Sequence, residues 1–121
     1  MKVILDTNGL MIPVQFGVDI FEELKRLGLY EFLVPEAVLK ELDMLIKRAK
    51  GSDKMAAKVA RSMAGRCVLI NGTGPADDVI LKLAEESGAA VLTNDIELKH
   101  RLKAKGISVL SLRQKNRLDF D

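Results

Sequence analysis

Five acidic residues are the side chains whose type and spacing could do chemistry: two at the ends of short apolar runs, two at the start of a helix-like segment after a third run, and one within a helix-like segment. They are Asp6, Glu41, Asp77, Asp78 and Asp95. Asp6 directly follows one apolar run, Asp95 comes two residues after another, and Glu41 borders the apolar stripe of a helix-like segment. If the runs are parallel strands, their carboxyl ends meet at one edge of a sheet, where functional crevices lie.

Acids gathered at one edge would repel one another. Two like charges 4 Å apart cost about 4 kcal/mol at an effective dielectric constant of 20. No lysine or arginine lies within the segments D-T-N, A-D-D or T-N-D to neutralise them. A divalent cation would do so, and a ligand set made only of oxygens suits Mg²⁺ or Mn²⁺.

The scarcity of cysteine and histidine narrows the chemistry further. Cys67 is the only cysteine and His100 the only histidine. An intrachain disulfide, a Cys-rich zinc site and an HExxH zinc site are therefore excluded, and a Ser–His–Asp triad would have a single candidate base.

Each acid also has a purely structural interpretation. Asp6 could close an Asx turn with Thr7 and Asn8, while Asp77 and Asp95 could serve only as helix N-caps. Asp78 precedes Lys82 by four residues, the spacing of an exposed ion pair, whereas Asp77 leans toward the packed side of its helix. That difference favours Asp77 over Asp78 as a metal ligand.

Turn residues divide the chain into alternating strands and helices. The predicted strands are Lys2–Asp6, Tyr30–Val34, Cys67–Ile70, Ala89–Thr93 and Ile107–Leu112. The predicted helices are one that Asp19 caps and Gly28 ends, then 36–49, a third from the Gly51-Ser52-Asp53 turn to about Gly65, Ala76–Ser87, and 96–105. Met55, Val59 and Met63 are expected to face inward on the third helix, and Met44 to lie in the core. Residues Thr7–Val18 are expected to be mostly loop, and Arg113–Asp121 a tail.

This alternation predicts a three-layer α/β/α sandwich with a central, mostly parallel sheet of about five strands. The 121 residues fit one domain, 1–121. No apolar stretch approaches the ~20 residues needed to span a bilayer, and no signal segment precedes the first strand, so a cytoplasmic protein without membrane attachment is expected.

Basic residues are unevenly distributed despite a net charge of only +2. Lys54, Lys58 and Arg61 recur at helical spacing, and Lys99, Arg101 and Lys103 belong to an acid-free stretch. Both groups could bind a phosphate backbone. The alternative is that they are solvated helix faces.

Four motifs in register give the pattern a family likeness. D-T-N (Asp6–Asn8), V-P-E-A-V-L-K-E-L with Glu41, A-D-D-V-I-L-K-L-A with Asp77 and Asp78, and V-L-T-N-D with Asp95 together resemble the PIN-domain family over nearly the whole chain. The family includes VapC-type toxins of toxin–antitoxin pairs and nucleases of ribosomal RNA processing. The loop Gly72–Asp78 looks closer to the processing branch, whereas small stand-alone prokaryotic members are usually VapC-like toxins.

The resemblance implies a metal-dependent endoribonuclease that cleaves single-stranded RNA. It implies Asp6, Glu41, Asp77 and Asp95 as the catalytic acids, supported by Thr7, Asn8, Thr93 and Asn94. In this interpretation Asp6, Asp77 and Asp95 hold Mg²⁺ or Mn²⁺, and Glu41 binds a second ion or orients the attacking water. The implied partners are single-stranded RNA, an antitoxin protein in the toxin branch, and a second copy of the chain.

Two other classes compete with this interpretation. The start D-T-N-G-L superficially resembles the D-x-D-G-T of haloacid-dehalogenase-like phosphatases, but Asn8 replaces the acid/base aspartate and no cap domain fits. A non-catalytic PIN scaffold that binds RNA or protein is the other alternative, against which stands the presence of all four acids.

Overall fold

The computed structural model describes all 121 residues, Met1–Asp121, as a six-stranded sheet flanked by six helices. The strands are β1 (Lys2–Leu5), β2 (Glu31–Pro35), β3 (Val68–Ile70), β4 (Ala90–Leu92), β5 (Val109–Arg113) and β6 (Arg117–Phe120). The helices are α1 (Thr7–Phe16), α2 (Ile20–Arg26), α3 (Glu36–Arg48), α4 (Gly51–Ala64), α5 (Ala76–Ser87) and α6 (Ile96–Ala104). The predicted fold class is confirmed, with one more strand than expected.

The order of the strands places a crevice at the centre of the sheet. The order is β3-β2-β1-β4-β5-β6, and every pair is parallel except β5 and β6. Successive connections lead from β1 to one side and from β4 to the other, so the switch point lies between these two strands. Leu5 pairs with Leu92, and the residues that follow β1 and β4 therefore emerge side by side.

The two central strands, β1 and β4, lie in the interior of the hydrophobic core. Val3, Ile4 and Leu5 of β1 are completely buried, as are Val91 and Leu92 of β4. Continuous burial is what strands covered on both faces require. None of the helices combines the length and apolar character that crossing a membrane would need.

The predicted loop at Thr7–Val18 is wrong, because most of it forms α1. The Asp6 side chain caps the amino end of this helix, and Gly17, in the left-handed conformation, ends it. Pro13 lies inside the helix and removes one intrahelical hydrogen bond. Burial of the apolar face that includes Leu10 and Ile12 outweighs that loss.

The predicted tail at Arg113–Asp121 is also wrong, because β6 pairs there antiparallel to β5. The chain reverses through Gln114 and Lys115, both with positive φ. Turns of this kind favour Gly, Asn or Asp, so Gln-Lys gives no turn signal in the sequence. Leu118 of β6 is completely buried and anchors the strand.

Helix α4 packs through a different face from the one predicted. Its buried residues are Ala56, Ala57, Ala60 and Ala64. Met55 is 57% exposed, Val59 and Met63 are only half-buried, and Met44 on α3 is exposed. Alanines allow α1 and α3 to approach α4 closely, and this backbone proximity decides the buried face. The helix also begins at Gly51, so the predicted turn at Gly51–Asp53 is its first turn.

Candidate functional site

A cleft of about 400 Å³ opens at the carboxyl ends of β1 and β4. Its polar lining residues are Asp6, Thr7, Asn8, Glu41, Asp77, Asp78, Asp95 and Arg101. The switch point of the sheet therefore gathers all five acids that the sequence singled out. They come from four separate segments of the chain, as the parallel-sheet interpretation requires.

Asp6 lies at the bottom of the cleft and is only 4% exposed. Its Oδ1 accepts a hydrogen bond of 2.6 Å from the Gly9 amide, and the Thr93 hydroxyl donates to the same carboxylate. The pKa of Asp6 rises to about 7, mainly because the carboxyl is buried; the nearby charges of Asp77 and Asp95 also raise it, while those two hydrogen bonds act to lower it. Asp6 thus has a structural role as the N-cap of α1, bonded to Gly9 rather than closing an Asx turn with Thr7 and Asn8. That role does not remove the repulsion from Asp77 and Asp95.

Gly9 lets the start of α1 approach β4. A Cβ atom at Gly9 would lie 2.8 Å from the Leu92 carbonyl oxygen, closer than such atoms come in proteins. Any other residue here would push the capped turn away from β4 and move Asp6 with it. In the sequence this glycine indicates only a loop.

Glu41 reaches the cleft from α3 and is held by Thr7. The Thr7 hydroxyl donates to Glu41 Oε1 at 2.7 Å. Thr7 is buried while Glu41 is exposed, so the contact fixes an exposed carboxylate against a buried hydroxyl. One oxygen of Glu41 stays outside this bond.

Asp77 and Asp78 at the start of α5 differ in their partners. Asp78 is exposed and forms an ion pair of 2.6 Å with Arg101, rather than with Lys82 as predicted; Lys82 contacts Glu86 instead. Asp77 is half-buried and has no such partner. Burial raises the pKa of Asp77, and the charges of Asp95 and Glu41 act in the same direction.

Asp95 combines a structural contact with a place in the cleft. Its side chain caps α6 by accepting from the Leu98 amide at 3.2 Å, so the predicted capping role is present. The Thr93 hydroxyl accepts from the Asp95 amide at 3.0 Å. Thr93 therefore links Asp6 to Asp95 from a completely buried position.

The cleft contains the carboxylate oxygens that a metal site needs, but they are not spaced to surround an ion completely. No three carboxylate, imidazole or thiol groups lie close enough together to hold an ion as they stand. The available ligand atoms are oxygens, and the charges of neighbouring acids raise the pKa of Asp6 and of Asp77. These features fit Mg²⁺, which keeps several waters and binds proteins through one or two carboxylates.

The predicted supporting and basic residues are only partly brought together. Asn94 points away from the cleft, and its Oδ1 accepts from the Leu112 amide on β5. Lys99 and Lys103 face the Asp121 carboxylate at 3.4 and 3.5 Å. Of the basic residues predicted to bind RNA, only Arg101 lines the cleft.

The three basic residues of α4 that were predicted to bind RNA, Lys54, Lys58 and Arg61, do not line the cleft. Lys58 is exposed, Lys54 is half-buried, and Arg61 forms an ion pair of 3.0 Å with Asp43. Arg101 lies beside the acids because Asp78 of α5 pairs with it. The sequence carried no signal for this place, since six residues on one helix separate Arg101 from Asp95 by about 240° of rotation.

Comparison with known proteins agrees with the geometry. A family model described as a PIN like domain matches residues 3–115. Ribonuclease VapC9 of Archaeoglobus fulgidus is 30% identical over 115 residues, which cover 95% of this chain and 85% of that protein. Ribonuclease VapC4 of Methanocaldococcus jannaschii is 32% identical over 120 residues, which cover 94% of this chain and 92% of that protein.

Solved structures give the same fold. The PIN domain endonuclease Utp24 superposes with a TM-score of 0.79 at 26% identity, over 99% of this chain and 90% of its own. The DNA-bound VapBC of Salmonella typhimurium superposes with a TM-score of 0.66 at 18% identity, over 92% and 98% of the two chains.

Proposed function

Because the chain belongs to the PIN-like domain family, we propose that it is a metal-dependent endoribonuclease that cleaves single-stranded RNA, as the toxin of a VapBC-type pair. The observation that carries the proposal is the cleft at the β1–β4 switch point, where five acids converge and one arginine stands beside them. The two VapC ribonucleases that resemble this chain over more than nine-tenths of its length support the choice of substrate.

The acids fall into two roles in this proposal. Asp6, Asp77 and Asp95 would hold Mg²⁺ or Mn²⁺, because they are the more buried acids and Asp78 is already paired with Arg101. The bound ion would lower the pKa of a coordinated water and stabilise negative charge at phosphorus. Thr93 positions two of the three ligands through its hydroxyl.

Glu41 and Arg101 complete the site. Thr7 fixes one oxygen of Glu41, which leaves the second to accept a hydrogen from the attacking water and orient it. Arg101 would bind a non-bridging phosphate oxygen, since a guanidinium matches that geometry, and Asp78 holds it in place. The attack needs no histidine and no covalent intermediate.

Partners follow from the toxin assignment. An antitoxin protein would cover the cleft, and a second copy of the chain could use the exposed methionines Met44 and Met55 on α3 and α4.

A second function has an observation of its own in its favour. The structural likeness to Utp24 is greater than that to VapBC, both in TM-score and in identity. Utp24 is a PIN domain endonuclease. Together with the loop Gly72–Asp78, which looks closer to the processing branch, this likeness supports a PIN nuclease of ribosomal RNA processing with the same cleft and chemistry. The two functions differ in substrate range and in their effect on a cell.

The test is cleavage of single-stranded RNA with Mg²⁺, with Mn²⁺ and with EDTA. We expect cleavage with either metal and none with EDTA. The control variant is Asp53→Asn, because Asp53 is exposed on α4 and contacts no other side chain through a hydrogen bond or ion pair. Cleavage that persists in EDTA would contradict metal dependence, and no cleavage under any condition would favour a binding scaffold.

Expression in a bacterial host separates the toxin from the processing nuclease. A toxin is expected to arrest growth when expressed alone, and the arrest should disappear in Asp6→Asn but persist in Asp53→Asn. Normal growth alongside active cleavage in vitro would favour the processing function.

A further inference from the structure

Two arginines face each other on the β5–β6 hairpin. Arg113 and Arg117 are directly opposed cross-strand partners next to the turn, and Lys115 lies within that turn. Like charges directly opposite one another destabilise an antiparallel pair. The pairing of the two arginines therefore does not stabilise the hairpin, and an anion bound between the guanidinium groups would relieve their repulsion.

Neighbouring acids compensate the pair only in part. Arg113 is 3.4 Å from the Asp121 carboxylate and is half exposed, and Asp119 lines the same recess. Arg117 is exposed and forms no ion pair within 4 Å, and its charge is one of the minor causes that lower the pKa of Glu23. The arginines line an open recess of about 390 Å³ together with Gln114 and Phe120. The recess is therefore large enough for a phosphate group and supplies guanidinium donors for it.

The hairpin stands at the same edge of the sheet as the acidic cleft. Leu92, the last residue of β4, pairs with Leu110, and Arg113 lies three residues further along β5. At ~3.3 Å per residue the hairpin extends roughly 10 Å beyond the end of β4. Asn94, the neighbour of Asp95, accepts from the Leu112 amide at 3.1 Å and so joins the hairpin to the wall of the cleft.

We propose that the β5–β6 hairpin, through Arg113 and Arg117, binds the phosphodiester backbone of the RNA strand next to the Asp95 side of the cleft. The inference rests on the proposed ribonuclease function and adds to it a second contact region for the same strand. A strand whose scissile phosphate lies in the cleft would place neighbouring phosphates over the hairpin. Guanidinium groups bind such phosphates through paired hydrogen bonds, without reading the base sequence.

The same arginines could in principle bind an acidic segment of a protein. Continuity with the cleft favours RNA, because Asn94, the chain neighbour of Asp95, joins the hairpin to the acids along one edge. The exposed aromatic ring of Phe120 in the recess also offers a face on which a base can stack. We therefore assign the recess to RNA and leave the acidic segment as an outcome of the test.

The test measures binding of fluorescein-labelled oligouridylates of about 4 and about 16 nucleotides, with Ca²⁺ in place of Mg²⁺ to limit turnover. We expect Arg113→Gln/Arg117→Gln to bind the long oligomer more weakly and the short one normally. With ~0.7 ions released per phosphate contact on single strands, the log–log salt slope should fall by roughly 1.4. The advantage of the wild type on the long oligomer should then shrink about seven-fold between 50 and 200 mM salt.

The matched control is Lys2→Gln/Lys105→Gln. It removes the same charge at the amino edge of the sheet, away from the cleft, and should leave the salt slope unchanged. Arg117→Gln alone guards against misfolding, because Arg117 has no ion pair to lose, and we expect it to keep the wild-type melting temperature with about half the change in slope.

An unchanged log–log salt slope in the double variant would overturn the inference, and so would equal weakening of the binding of both oligomers. A third contrary outcome comes from measuring binding of poly-glutamate, which represents an acidic protein segment: the double variant would lose poly-glutamate binding and keep RNA binding. The last would assign the hairpin to an acidic protein segment. Failure of the wild type to bind either oligomer would instead contradict the proposed ribonuclease function.

Discussion

Two aspartates in this molecule have covered carboxylates and opposite electrostatic surroundings, although Asp121 as a whole residue is exposed. Asp6 is 4% exposed at the bottom of the cleft, and the side chain of Asp121 is 8% exposed beside β5. Burial acts to raise the pKa of both. At Asp121 the Ser111 hydroxyl and the Lys99 and Lys103 ammonium groups outweigh it and leave the pKa below its ordinary value, whereas that of Asp6 rises to about 7.

The difference lies in what the fold provides around each carboxylate. Three cations surround Asp121, from Lys99, Lys103 and Arg113. Around Asp6 the charged neighbours are other acids, and only Gly9 and Thr93 donate to it. A carboxylate whose charge is neutralised by cations of the same chain, as at Asp121, stabilises the folded structure. One left unbalanced among other carboxylates is typical of a functional site that takes its counter-charge from outside.

The largest expected effect comes from removing the unbalanced charge. Asp6→Asn should lower kcat for RNA cleavage roughly 10³-fold or more, because the acids of such a site act as a unit. Cleavage would be measured at saturating Mg²⁺ against Asp53→Asn, which should match the wild type. A wild-type rate in Asp6→Asn would mean that Asp6 is balanced within the protein after all.

The same variant should become more stable in EDTA. Since the folded state raises the pKa of Asp6, the wild type loses stability as pH rises from about 4 through about 7. Asn cannot ionise and can still cap α1, so the advantage of Asp6→Asn should appear above pH 4 and level off above pH 7. A shift of about 3 units corresponds to roughly 4 kcal/mol as an upper limit.

Denaturant unfolding in EDTA at several pH values measures this difference. The Asp53→Asn control should follow the wild-type curve at every pH. A variant that is less stable than the wild type at pH 8 would show that the contacts of Asp6 outweigh its charge repulsion.

The two regions also differ in how far the sequence could predict them. Asp6, Asp77 and Asp95 follow apolar runs, and the parallel-sheet rule alone was enough to bring them to one edge. Glu41 was predicted from its place on the stripe of α3, but nothing in the sequence indicated that Thr7 would hold it.

The surroundings of Asp121 could not be predicted in this way. Its partners depend on a hairpin whose Gln114-Lys115 turn adopts positive φ without the residues that favour it. The helix α1 was missed for a related reason: Gly9 and Pro13 resemble loop residues, although one is needed for close approach and the other is outweighed by burial. Both errors arise where tertiary packing overrides local preference.

Metal binding should relieve the imbalance at Asp6 and so stabilise the fold. An ion that binds only the folded state adds about 2.7 kcal/mol at a hundred times its Kd. We expect Mg²⁺ or Mn²⁺ to raise Tm, and the increase to shrink in Asp95→Asn and persist in Asp119→Asn, which lies outside the cleft. Equal Tm values with saturating metal and with EDTA would contradict a metal site in the cleft.

The smallest expected effect comes from changing Asp121, the aspartate whose charge is neutralised by neighbouring cations. Asp121→Asn should destabilise the protein by about 1–2 kcal/mol at pH 7, because charge-assisted contacts are lost while Asn can still accept from the buried Ser111 hydroxyl. Folding lowers the pKa of Asp121, so its contribution is present above the ordinary carboxyl pKa and disappears as pH falls through the lowered value. The difference in the free energy of unfolding from the wild type, measured by denaturant unfolding, should therefore vanish in strong acid. Asp6→Asn should show the opposite sign, stabilisation rather than destabilisation, and over a different pH range. Asp119→Asn, on the strand that Asp121 follows, removes an equal charge away from Lys99 and Lys103. An equal loss of stability in that variant would show that Asp121 has no special role in holding β6.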